Sequence, residues 1–160
     1  MLYRPSEKDD IAAMARIRAA EWGGVEYWVH RISGYVAKEL NPQHALASRA
    51  CYVAAHENAV VGFVAGHLTH RYGCDGELEW INVIPEWRGT GAASALLRLM
   101  ANWFIQQKAF RICVDVDPSN AIARAFYTRH GAKPLNRHWL VWPDIRAAGA
   151  ERRLKLKTEN

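Results

Sequence analysis

No apolar run in this chain is long enough for a signal peptide or a bilayer crossing, and the opening MLYRPSEKDDIAAMARIRAAEW is charged almost at once. The expectation is a soluble, cytoplasmic protein with no membrane partner. Cysteine is scarce too. Cys51, Cys74 and Cys113 are odd in number and far apart along the chain, which excludes a disulfide framework and lacks the close ligand spacing of a zinc site. They read as reduced thiols, and no metal is expected. Internal repeats and low-complexity segments are absent, which excludes a solenoid. No long block of one charge appears either. Lys and Arg number 21 against 16 Asp and Glu, a net +5 spread along the chain. That excess suits an anionic small ligand or a nucleic acid, but its dispersal reads as a solvated surface, so no nucleic-acid partner is expected. The densest basic cluster, ERRLKLK at 151–157, alternates Leu154 and Leu156 with charges, as a last edge strand or tail would.

What is present is an apolar half, 50% of 160 residues, enough for one domain over 1–160 with one sizeable core. A short strand around Leu2 to Arg4 precedes a helix that Ser6 or Asp9 can cap, with Ile11, Met14, Ala15 and Ile17 at helical spacing and Gly23-Gly24 at its end. A second helix, about Glu26 to Leu40, is aromatic and stops at Asn41-Pro42. CYVAAHENAVVGFVAGHLTH reads as a hairpin turning at His56-Glu57-Asn58, and GELEWINV as the next strand. A helix with Ala93, Leu96, Leu97, Met100, Trp103 and Phe104 on one face follows, then strand FRICVDV, helix PSNAIARAFYTRHG and strand HWLVW. The order β-α-α-β-β-β-α-β-α-β is an α/β arrangement on a mixed sheet, with the strand–helix–strand part, 77–116, parallel and right-handed.

The junction VIPEWRGTGAASALL carries the strongest chemical signal. A helix N-terminus offers unpaired N–H groups and the positive dipole end, and glycine lets a ligand approach the main chain, so a strand entering a helix through glycines is an anion site. Gly89, Gly91 and the small Thr90, Ala92, Ala93 and Ser94 fit, with Arg88 as an added cation. A Walker A loop needs a lysine that does not follow Gly91, and a dinucleotide fingerprint needs glycine or alanine where Ser94 stands. What does fit is V-x-P-x-x-R-G-x-G: Val83, Pro85, Arg88, Gly89 and Gly91.

With these residues the chain resembles the GNAT superfamily of N-acetyltransferases, whose pyrophosphate loop Arg/Gln-x-x-Gly-x-Gly/Ala matches Arg88, Gly91 and Ala93. A second signature, N-x-x-A-x-x-F-Y-x-x-x-G, matches Asn120, Ala123, Phe126, Tyr127 and Gly131. The resemblance implies a GNAT-type fold, a central mixed, mostly antiparallel twisted sheet flanked by helices. It also implies acetyl-CoA as cosubstrate and direct transfer to a primary amine of a small molecule, a protein N-terminus or a lysine. The acetyl carbonyl would lie on the main chain of Ile81, Asn82 and Val83, pantetheine would pair as an extra strand, and Tyr127 would be the general acid.

Read from spacing alone, Asn120, Ala123 and Tyr127 share one face of their helix, while Ile122, Ala125 and Phe126 form the packing side. The base stays open: Glu79 and Asp115 stand equal, with Glu77 behind, and Glu77 and Glu79 share a sheet face because they alternate with Leu78 and Trp80. Water could instead carry the proton. His67 and His70, three apart on a strand, face opposite ways and share no metal. His130 reads as a cation ending its helix. Trp22, Tyr27, Trp28 and Tyr35 cluster where relatives form the acceptor wall, and Asp75, Glu77 and Glu79 suggest a cationic acceptor. The competing class is a non-catalytic acyl-CoA sensor, and the oligomeric state, a homodimer included, is left open.

Overall fold

The computed structural model describes residues 1–149, so the expected strand at 151–157 lies outside the described residues. Along the chain run β1 (Leu2–Pro5), α1 (Ile11–Ala19), α2 (Val25–Val36), β2 (Ala45–His56), β3 (Ala59–Thr69) and β4 (Gly76–Val83). Then come α3 (Ala92–Gln106), β5 (Ile112–Asp115), α4 (Ala121–Arg129), β6 (Lys133–Pro134) and β7 (Trp139–Trp142). The expected order holds with one addition, the two-residue β6 on the outer edge.

One seven-stranded sheet, in the order β1-β2-β3-β4-β5-β7-β6, carries these elements. β4 and β5 are parallel, as expected, and all other pairs are antiparallel. The β2–β3 turn forms where expected because Glu57 (φ 50°) and Asn58 (φ 66°) both take the left-handed conformation that a tight two-residue hairpin loop requires.

Alternation along the strands splits the core between the two faces. Val53, Phe63 and Ala65 pack with Met14, Trp28, Ile32 and Tyr35 under α1 and α2. Their neighbours Ala54 and Val64 pack with Leu96, Leu97, Met100 and Phe104 of α3. Among the described residues no helix is long and apolar enough to cross a membrane.

Several local expectations are corrected. Neither Ser6 nor Asp9 caps α1; a short 3-10 turn at Lys8–Asp10 precedes it, and Asp10 accepts the Glu7 N–H at 2.7 Å and pairs with Arg4 at 2.7 Å. α2 ends at Val36, because Lys38 takes φ 64° and the chain folds back through the Leu40 N–H to Gly34 carbonyl bond, 3.0 Å. The expectation of free thiols holds: Cys51, Cys74 and Cys113 form no disulfide, although Cys74 and Cys113, distant in sequence, meet in a small cluster with Trp139 and Val141.

The strand that positions the site departs most from regular alternation. The β3–β4 register steps from Ala65↔Trp80 to Gly66↔Leu78, which leaves Glu79 as a bulge. Leu78 consequently packs on the α3 side and Trp80 on the α1–α2 side, where strict alternation would put both on one face. Glu77, Glu79 and Trp80 all reach the α1–α2 face.

Candidate active site

β4 and β5 pair at three positions only, Gly76↔Ile112, Glu77↔Cys113 and Leu78↔Val114, and then part. From Glu79 onward β4 keeps its β3 partner but has none on the β5 side, so a wedge opens with unpaired main-chain groups along one wall. The cleft formed there has a volume of about 950 Å³. Ile81, Asn82 and Val83 form its β4 wall, Asp115 and Asn120 the β5–α4 wall, and Arg18, Glu21, Trp22, Tyr27, Trp28 and Arg31 its α1–α2 rim.

The glycine-rich turn lies at one end of this wedge. Gly89 (φ 77°) and Gly91 (φ 88°) take a backbone conformation that disfavours any side chain, while the space where a Cβ would point is empty at both. Glycine is therefore demanded here by φ, and the open space leaves the main chain accessible. Gly91 is the N-cap of α3 and gives it no side-chain cap, so the first amides of Ala92, Ala93 and Ser94 lack intrahelical partners. Arg88 is exposed and its Nε donates to the Val83 carbonyl at 3.4 Å, which keeps the cation over the end of β4. Thr90 Oγ1 donates to the Trp87 carbonyl at 2.6 Å and closes the turn. Ser94 is held otherwise: its hydroxyl lies 3.1 Å from His130 Nε2, which ties α3 to the end of α4.

Tyr127 lines the cleft and is 8% exposed, set edge-on against Trp142. Burial holds its phenol above the ordinary value, the Glu21 charge adds to this, and Arg18 opposes it. Asn120 caps α4, its Oδ1 accepting the Ala123 N–H at 3.1 Å. The packing side expected from Ile122, Ala125 and Phe126 is corrected: Ile122 is 87% exposed at the cleft mouth, and of the three only Phe126 packs on the core.

The acidic candidates separate. Glu79 is mostly buried, and desolvation with the nearby Glu77 charge raises it to about 7 despite Arg31 at 3.6 Å. Glu77 is buried and held by Arg71 Nε at 3.0 Å. Asp115 ends β5 at the surface, raised by partial burial and drawn down by His138. Asp75 lies away from the cleft, accepting the Phe110 and Arg111 N–H groups, both at 3.0 Å. Tyr35 also leaves the expected acceptor wall: it is 1% exposed within the core, whereas Trp22, Tyr27 and Trp28 do line the cleft.

Three residues emerge that no motif marked. Arg18 lies over the Trp28 ring at 4.4 Å and donates to Asn82 Oδ1 at 3.2 Å, while Asn82 Nδ2 donates to Glu21 Oε1 at 2.8 Å. Arg18 lies in the last turn of α1 and Glu21 just beyond its end, and no sequence signal tied either to Asn82. His67, the third, is fully buried beside Glu77 and Glu79. The ligand atoms of these three lie within 4.8 Å of one another, a spacing that suits a divalent ion. Arg71 at 3.0 Å from Glu77 and Arg31 at 3.6 Å from Glu79 supply counter-charge to both carboxylates.

Comparison with known proteins accords with this geometry. The acetyltransferase (GNAT) family profile matches residues 11–132. An aminoglycoside N(6')-acetyltransferase type 1 of Salmonella typhimurium is 27% identical over 139 residues, spanning 80% of this chain and 94% of that protein. An uncharacterized N-acetyltransferase of Mycobacterium bovis is 32% identical over 85 residues, 53% of each. Two solved structures share the fold. The aminoglycoside antibiotic 6'-N-acetyltransferase of Acinetobacter haemolyticus superposes with TM-score 0.71 at 18% identity over 85% of this chain and 93% of its own. The Thermoplasma acidophilum PaiA N-acetyltransferase, in complex with coenzyme A, gives 0.66 at 13% identity over 88% and 96%.

Proposed function

This chain belongs to the acetyltransferase (GNAT) family, and from that premise we propose that it moves the acetyl group of acetyl-CoA to a primary amine of a cationic small molecule, by direct attack in a ternary complex. The observation that carries this reading is the wedge: an unpaired β4 edge, a glycine turn into an uncapped helix, and a buried phenol all border one cleft. The N–H groups of α3's first turn and Arg88 fit a diphosphate. The free edge of β4 fits the amides of pantetheine as an added strand.

In this reading the main chain at Ile81–Val83 donates to the oxyanion that develops on the acetyl carbonyl oxygen as the amine attacks the carbon, a contribution of roughly 3–4 kcal/mol for one well-placed donor. Tyr127 keeps its proton until sulfur takes up charge and then donates to the departing thiolate. A phenol is the weaker acid, about 10 against about 8.5 for a thiol, so the transfer is coupled to C–S cleavage. Glu79 accepts the ammonium proton. It is favoured over Asp115 because it is buried beside the acceptor rim, while Asp115 sits at the surface. The aromatic rim with Glu21 and Glu79 suits a cation-bearing ring, and the aminoglycoside enzymes among the relatives support a small-molecule acceptor over a peptide.

Thiol release from acetyl-CoA, measured with aminoglycosides, polyamines, amino acids and peptides, tests the reading. Turnover with the polycationic small molecules is the expected result. Tight coenzyme binding without turnover on any amine is the outcome a sensor would give, and turnover on peptides alone overturns the acceptor assignment.

A further inference from the structure

His67 has no part in the transfer as drawn, yet it is the most enclosed polar side chain near the base. It is 0% exposed, and its Nε2 has no hydrogen-bond partner. The groups that face it come from several elements. Tyr35 of α2 places its hydroxyl 2.9 Å from Nδ1. Glu77 Oε1 of β4 lies 3.7 Å from Nε2, and Glu79 Oε2 lies 3.9 Å from Nδ1. Behind these stand Arg71 on Glu77, Arg31 of α2 on Glu79, and Arg49 of β2 over the Tyr35 ring at 4.7 Å. Cys51 of β2 acts weakly on Tyr35, and Arg18 of α1 is drawn by the Glu79 charge.

We propose that Tyr35 and His67 are positioning residues for the base: the Tyr35 hydroxyl donates to Nδ1 and holds His67 as the neutral Nε2–H tautomer, so that Glu79 faces an uncharged ring and not an imidazolium. This inference rests on the reading of Glu79 as base.

Two independent features select that tautomer. The first is the hydroxyl. Its contact in the structure is Nδ1, so if Nδ1 carried the proton and donated to the phenol oxygen, the buried hydroxyl hydrogen would be left without an acceptor. The second is the other ring nitrogen. An Nε2 lone pair would point at the Glu77 carboxylate, acceptor against acceptor, whereas Nε2–H turns a positive hydrogen toward it. Both features put the proton on Nε2. Nδ1, already receiving the phenol's hydrogen, then has no proton to give Glu79.

The consequence is chemical. An imidazolium at this distance from Glu79 would hold it as a carboxylate and lower its proton affinity, as an opposite charge within 4–6 Å does. A neutral ring withholds that charge and leaves Arg31 and Arg71 as the cations that act on the Glu79 carboxylate. Nothing is consumed: the hydroxyl and ring protons stay in place while Glu79 gains and releases the acceptor's proton.

The test compares the pH dependence of kcat/KM for the wild type, Glu79→Gln and Tyr35→Phe, with ¹⁵N NMR of the His67 ring in the resting protein, its signal assigned by loss in His67→Gln. We expect a protonated-type shift at Nε2 and an unprotonated-type shift at Nδ1 near neutral pH. We also expect the acid limb to vanish in Glu79→Gln and to move down by about one pH unit or more in Tyr35→Phe. A purely structural tyrosine would change stability and leave the limb in place. A limb that persists in Glu79→Gln removes the base reading and this inference with it. A limb that belongs to Glu79 but is unmoved by Tyr35→Phe, or a ring protonated on Nδ1, overturns the inference alone, and the NMR result decides if Tyr35→Phe does not fold.

Discussion

Burial makes Tyr127 a poor acid at rest and a useful one in motion. Its phenol stays protonated through the working pH range because desolvation and the Glu21 charge both penalise phenolate. Only a stronger base than water, a thiolate leaving carbon, draws the proton away. Tyr127→Phe is expected to lower kcat by about a hundred-fold or more while the KM for acetyl-CoA changes little, as steady-state kinetics will show. At Glu79 the shift is upward, to about 7, chiefly through burial. Activity should therefore rise as pH increases through that value, since a base must be ionised. Stability should run the other way: the folded chain binds the proton more tightly than the unfolded one, so Glu79's contribution declines from the ordinary carboxylate value, about 4.3, up to about 7. Urea unfolding across that interval, with Glu79→Gln as the control that flattens the trend, checks the sign.

Among the elements, β4 and α3 carry the site together, and glycines set how close they sit. At Gly76 an added Cβ would meet the Phe104 ring at 2.5 Å and Ile112 Cδ1 at 2.8 Å. Gly76→Ala should destabilise the fold by about 1–3 kcal/mol through overpacking, measurable by urea unfolding. Gly91→Ala is a different case. Its Cβ meets nothing, and the cost lies in φ 88°, about 1–2 kcal/mol for an alanine held there. The strain relaxes by turning the first amides of α3, so calorimetry should find coenzyme A bound at least several-fold more weakly. The bulge at Glu79 has a similar standing: without it Trp80 would leave the Trp28 and Tyr35 rings, and the acidic pair would lose its shared face with the aromatic rim.

At the scale of the molecule, the sheet is two wings joined by three residue pairs, with α3 beneath the join. A ligand seated in the wedge touches both wings, so it ties together two parts of the sheet that the main chain joins at three positions only. Saturating coenzyme A should raise the melting temperature, with about 2.7 kcal/mol of added stability at a hundred times Kd. Differential scanning calorimetry checks this, and the rise should shrink in Gly91→Ala at the same ligand concentration. No change with ligand in the wild type would mean that coenzyme does not bind across the wedge.

Local chemistry and sequence period were enough to read the element order, the hairpin turn, the parallel strand–helix–strand unit and the glycine turn that opens α3. Each depends on neighbours within a few residues: left-handed turn positions, a helical apolar stripe, a strand ending just before Pro85. The family resemblance of Arg88, Gly91, Ala93, Asn120 and Tyr127 was legible for the same reason, since the spacing lies inside two short motifs. What the chain alone left open is whatever depends on register between strands or on helices crossing a face. A one-residue bulge, invisible in GELEWINV, turned Trp80 to the side of the glutamates. Packing of α2 removed Tyr35 from the acceptor wall and set it on His67, and packing of α1 brought Arg18 and Glu21 to Asn82. These contacts join residues 32 to 64 positions apart, and only the folded sheet makes them neighbours, because burial and charge act through space and not along the chain.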